Sequence, residues 1–95
     1  MDNAEARTIL SRELAKYRLE PYASLQRLLH ESEAVEVCGA QNTTYQIKFT
    51  AFWDDPNKPG GILRVCGAID DGGWRAFLPL ADSFLMRPDG SFHDE

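Results

Sequence analysis

The densest concentration of reactive side chains in this sequence is acidic. Asp54-Asp55 lies in "FWDDPNKPGG" (52–61), and Asp70-Asp71 lies in "AIDDGGWRAFLPL" (68–80). Each pair has a tryptophan and a Gly-Gly close by. Carboxylates that converge on one point can hold Ca²⁺ or Mg²⁺, which need several oxygen ligands around a single ion. On that reading the acidic loops would carry the site of a small metal- or ligand-binding enzyme. Neither loop has the spaced D-x-D-x-D-G order of a calcium loop. The competing reading is a turn. Asp-Gly is among the strongest hairpin signals, and a second glycine suits a bulge. Asp70-Asp71-Gly72-Gly73 would then join a strand ending at Ile69 to one starting at Trp74.

Other chemistry is poorly supported. The two histidines are His30 and His93. A histidine near a helix C-terminus, where His30 falls, is well explained as a partner of the helix dipole. There is no G-x-S-x-G, no H-E-x-x-H and no phosphate loop, since Gly60-Gly61 lacks the Lys-Ser/Thr that must follow. No catalytic residue, metal ligand or cofactor is assigned. Cys38 and Cys66 are too few for a disulfide framework and read as buried, reduced thiols.

The aromatics point to contact rather than catalysis. Phe52 and Trp53 are neighbours, so on a strand they face opposite ways. Trp74 and Phe77 do the same. Helices on one side of a sheet cannot bury all four, and Arg64 and Arg75 lie nearby. Aromatic surface flanked by arginine is typical of protein interfaces. The candidate binding residues are therefore Phe52, Trp53, Asp54, Asp55, Asp70, Asp71, Trp74, Arg75 and Phe77. Alternatively, the segment from Pro79 to Phe92 folds back and covers the second face.

The elements that position these residues can be read from periodicity. Ala6, Leu10, Leu14 and Tyr17 make one face of a helix. Pro21 ends that helix by forcing its predecessor out of the α region. Tyr22, Leu25, Leu28 and Leu29 make the stripe of a second. From Glu33 the period changes to two. "EAVEVCG", "TTYQIKFTAFW" and "GILRVCGAID" read as strands, and "WRAFLPL" as a fourth. "LADSFLM" reads as one or two helical turns with Asp82 as a weak cap, and "RPDGSF" as a turn. Short polar connections join antiparallel neighbours. The expected fold is α+β, two N-terminal helices packed on a three- to four-stranded antiparallel sheet. A meander of this kind puts the two acidic pairs at opposite ends of the sheet, about 25 Å apart.

Ninety-five residues suit a single domain spanning 1–95, with enough chain for one modest core. A hydrophobic fraction of 43% fits a folded globule. The net charge of −5 argues against nucleic acid and against an anionic membrane surface. The helix bases Arg7, Arg12, Lys16, Arg18 and Arg27 share their segment with six acids, Asp2, Glu5, Glu13, Glu20, Glu31 and Glu33, and create no positive field. The charged start "MDNAEARTIL" does not read as a signal peptide, and no apolar run approaches a membrane span, so a cytoplasmic protein is expected.

"YRLEPYASL", "YQI", "IDDGGWRAF" and "PDGSF" together resemble a family of small bacterial proteins with no assigned function. The resemblance covers roughly Leu14 to Phe92. It implies a stand-alone cytoplasmic bacterial domain and supplies no reaction, cofactor or catalytic residue. The expectation is a non-enzymatic interaction module that binds a protein partner or itself through the sheet, with a homodimer as one form.

Overall fold

The structure, a computed structural model, describes residues 1–73 and 79–93. Helix α1 runs over Asn3–Arg18. Asp2 caps it, its carboxylate accepting from the Glu5 N–H at 3.0 Å. Its inner face buries the expected Ala6, Leu10, Leu14 and Tyr17, and also Ile9 and Glu13. Glu13 is tolerated there because Lys16 Nζ stands 2.9 Å from its carboxylate.

The second helix is shorter than its stripe predicts. Pro21 sits at the N-cap of α2, a single turn over Tyr22–Leu25. The chain then tightens into a 3₁₀ turn over Gln26–Leu29. The molecule therefore has one long helix and one short helical corner, not two helices packed on the sheet. Only Leu25 and Leu28 of the corner are buried, so too little apolar surface is gained to extend it.

Four strands follow: β1 (Glu33–Cys38), β2 (Thr44–Trp53), β3 (Leu63–Asp70) and β4 (Leu80–Met86). They form an antiparallel meander in sequence order. The first three lie where alternation places them. The fourth corrects two expectations. "LADSFLM" is a strand and not helical turns, and the partner of β3 begins at Leu80, with Ile69 opposite Leu80. A tight hairpin at Asp70–Gly73 is thereby overturned, because Asp71–Pro79 connects the two strands. Trp74, Arg75 and Phe77 lie outside the described residues. Leu80, Phe84 and Leu85 mimic helical spacing, but β3 offers a free row of main-chain groups that a strand satisfies and a helix cannot.

One face of the sheet carries Tyr45, Ile47, Phe49, Leu63, Val65, Ile69, Phe84 and Met86, all fully buried beneath the helices. A close approach over the middle of the sheet is at Gly67. A Cβ there would stand 2.8 Å from Leu10 Cδ1 and 3.0 Å from Phe49. Glycine lets α1 settle onto the sheet at its middle. A knot of polar bonds fixes the corner to β1. Arg27 donates to Glu33 through Nε at 2.7 Å and to Glu20 through Nη1 at 2.6 Å. The Tyr17 hydroxyl donates to Glu33 at 2.8 Å. Hydrogen bonds from Arg27 hold both carboxyls below the usual carboxylate range, and Tyr17 assists at Glu33. Burial raises the Tyr17 phenol, and the adjacent Glu33 carboxylate raises it further. No helix among the described residues is long and apolar enough to cross a membrane.

Candidate interaction surface

The acidic loops sit at opposite ends of the sheet, as meander geometry requires. Asp54 follows the end of β2, beside the start of β3, while Asp70 ends β3 opposite Gln46. Each acid has a local task. Asp54 accepts from Arg64 Nη2 at 2.9 Å and Nε at 3.2 Å. The Asp55 carboxylate accepts from the Asn57 N–H at 2.9 Å, inside the turn it opens. Asp70 and Asp71 accept from the N–H groups of Gly72 and Gly73 at 2.7 and 3.2 Å. These are side-chain turns of the kind aspartate favours. Among the described residues no three His, Cys, Asp or Glu side chains gather where an ion could sit.

The aromatics divide as adjacent strand positions must. Trp53 turns inward and packs against the core, its ring 6.4 Å from that of Tyr22. Phe52 turns to the opposite, helix-free face and is 49% exposed. Around it that face is mostly small or polar. Thr44, Gln46, Lys48 and Thr50 share it on β2, with Arg64, Cys66, Ala68 and Asp70 on β3. An antiparallel sheet with one wet face looks like this. The thiols belong here too. Cys38 is exposed and Cys66 half-buried, correcting the expectation that both are buried. Burial pushes the Cys66 thiol up, and neighbouring Arg64 offsets part of the rise. The segment after Pro79 does not cover this face. It joins the sheet as β4, and Phe92 packs edge-on to Phe84 at 5.9 Å on the helix side.

What sequence reasoning missed is the state of the two sheet edges. Gly39 donates to the Thr43 carbonyl at 2.7 Å, which directs the main chain of Val37, Val35 and Glu33 toward β2. Alternation then aims Ala34, Glu36 and Cys38 outward, away from the sheet. Among the described residues their outward N–H and C=O groups meet no partner. The outer edge of β4 is different. His93 donates to the Leu85 carbonyl at 3.0 Å, and Arg87 donates to Ser91 at 2.8 Å. The Asp82 carboxylate accepts from the Ser83 N–H at 2.8 Å. The "RPDGSF" turn, with Gly90 at a φ of 87°, closes the Leu85–Arg87 end of this edge; among the described residues the outward main chain of Ala81 meets no partner.

The helix side of β1 is also under-covered. Helix α1 lies over β3 and β4, and the 3₁₀ turn lies over β2. Val35 and Val37 are left half-buried at the flank. A shallow groove of about 460 Å³ opens between Glu5, Thr8, Ile9 and Arg12 of α1 and the Cys38-Gly39 end of β1. Its floor is rigid. Glu5 accepts from the Tyr45 hydroxyl at 2.8 Å and from the Ala40 N–H at 3.0 Å. Burial, with Glu5 alongside, pushes the Tyr45 phenol up to about 12. Gln41 and Asn42 close the β1–β2 turn in left-handed conformations, at φ of 56° and 61°. No family model matches the chain, and no curated protein or solved structure shows significant similarity to it.

Proposed function

We propose that this protein is a non-enzymatic interaction module that engages a protein partner by strand addition along β1. The observation that carries this reading is the outer row of Ala34, Glu36 and Cys38, which meets no partner among the described residues, while the opposite edge is closed at its Leu85–Arg87 end. Natural sheets blunt their edges, and one left open is a template for another strand. Strand addition draws affinity from main-chain hydrogen bonds and selectivity from alternate side chains. Here those side chains are Val35 and Val37 on one face and Ala34, Glu36 and Cys38 on the other. The open face contributes less, because Phe52 is its sole exposed large apolar residue among the described ones.

The test is site-directed photo-crosslinking in cells. A photoreactive residue at position 36 should capture protein. The same residue at Thr50 or Ser83, on the open face, should not. Capture from 50 or 83 but not from 36 would move the interface to the open face and overturn the reading.

A further inference from the structure

We infer that the occupant of the β1 edge is a second copy of this chain, paired antiparallel across a two-fold axis at Val35. The inference rests on the strand-addition reading and names its partner. In a two-fold antiparallel pair each residue faces its symmetry mate or a residue related through it, on the same side of the sheet. With Val35 on the axis, Ala34 faces Glu36 of the second copy, and Glu33 faces its Val37. Ala34 and Glu36 are the residues whose main-chain groups point outward. They therefore form the hydrogen-bonded pairs, and Val35 forms the closer non-hydrogen-bonded pair.

Two features favour this register. On the helix side Ile47 is the neighbour of Val35. Pairing thus makes a continuous apolar row of Ile47, Val35, Val35 and Ile47, covering a valine that is half-buried in one copy. On the open side Lys48 is the neighbour of Ala34. Lys48 and the second copy's Glu36 would be two strand spacings apart, roughly 9.6 Å, with only an alanine between them. Both side chains are long enough to meet over it. Lys48 and Glu36 are exposed, and neither makes an ion pair within its own chain among the described residues. Symmetry supplies this pair twice. Moving the axis to Glu36 sets that carboxylate against its own copy, which like charges oppose. Moving it to Val37 pairs Ala34 with Ala40, beyond the end of the strand.

Sedimentation velocity across a concentration series at low salt tests this. The wild type should show a reversible monomer–dimer equilibrium that weakens as salt is added. Glu36→Lys and Lys48→Glu should each raise the dimer Kd on the order of ten-fold. The double variant should recover most of the loss, with circular dichroism confirming the fold in all three. In a Cys38→Ser/Cys66→Ser background, Val35→Cys should form a disulfide-linked dimer on oxidation, since paired Cα atoms there lie within disulfide reach. Val37→Cys should not. A wild type that stays monomeric, charge reversals without effect, or a double variant without rescue would each overturn the self-pairing. A monomer that still crosslinks a different protein through position 36 would end the self-pairing and leave strand addition standing. A monomer with no capture at 36 would end both.

Discussion

The two edges of the sheet are built from strands of similar length and end in opposite conditions. β4 is closed at its Leu85–Arg87 end by the chain that follows it. Arg87 turns back through Ser91, Phe92 settles against Phe84, and His93 takes the Leu85 carbonyl. β1 is not sealed, because the chain before it is spent on the corner. Glu33 is held by Tyr17 and Arg27, and the residues preceding it turn away toward the 3₁₀ turn. The lesson is that edge protection is decided by what a flanking segment is otherwise committed to. The composition of the strand does not decide it.

That comparison can be broken most violently at β4. Ending the chain at Arg87 removes the closure and bares Phe84. Stability should fall by about 2–3 kcal/mol, the cost of exposing a buried aromatic and its edge-on partner. Light scattering should then grow with concentration. A truncated chain that melts like the full one and stays clear would show the closure to be ornamental.

The next largest effect is at the anchor of β1. Arg27→Ala should cost about 1–2 kcal/mol at neutral pH, judged from two charge-assisted pairs that are partly exposed. It should also change the acid limb of the stability curve. Glu20 and Glu33 are depressed in the folded state, so their contribution is present above the ordinary glutamate pKa. It is lost as the pH falls through the folded values. Chemical denaturation from pH 7 to pH 3 should show a steep decline in the wild type and a shallower one in the variant. At the other extreme the raised phenols of Tyr17, Tyr22 and Tyr45 lose their stabilising effect as the pH climbs past about 10. Unfolding followed by tyrosinate absorbance should begin there, and Tyr45→Phe should soften it.

A smaller change sharpens the contrast between edges. Ala34→Pro removes an N–H that points outward from β1, so it should alter stability by only about 1 kcal/mol while abolishing capture at the edge. The corresponding Ala81→Pro on β4 should leave assembly untouched. Smallest of all is the response of the acidic loops to metal. Their carboxylates are taken up by turns and by Arg64. Ca²⁺, Mg²⁺, Mn²⁺ and Zn²⁺ should produce no saturable rise in melting temperature against an EDTA control, where a native-state site would raise it.

The legible parts of this molecule are those where one physical signal dominates. The stripe of Ala6, Leu10, Leu14 and Tyr17 finds the long helix, and the alternation of Tyr45, Ile47, Phe49 and Ala51 finds the central strand. The opposite placement of the acidic pairs follows from strand order alone. β4 was hidden because Asp82 interrupts its inward face opposite Gly67, which blurs the alternation of Leu80, Phe84 and Met86. The second helix was overestimated because a four-residue apolar stripe does not reveal how little of it meets the sheet. The edge could not be read at all. Whether a main-chain N–H is paired depends on a hydrogen-bond phase, set for β1 by the Gly39–Thr43 bond, and on where the chain after β4 turns back. Side-chain types record neither.

The closed rim of β4 has a consequence for how far assembly can run. A protomer with two open rims can accept a neighbour on each side, and such units add end to end into fibrils. A protomer with one open rim has a valence of one. If two copies pair across β1 as proposed, each uses its more open rim, and the eight strands that result end in rims capped at their Leu85–Arg87 ends. In the proposed dimer the short "RPDGSF" turn would thus restrict further strand addition at the Leu85–Arg87 end of each outer rim.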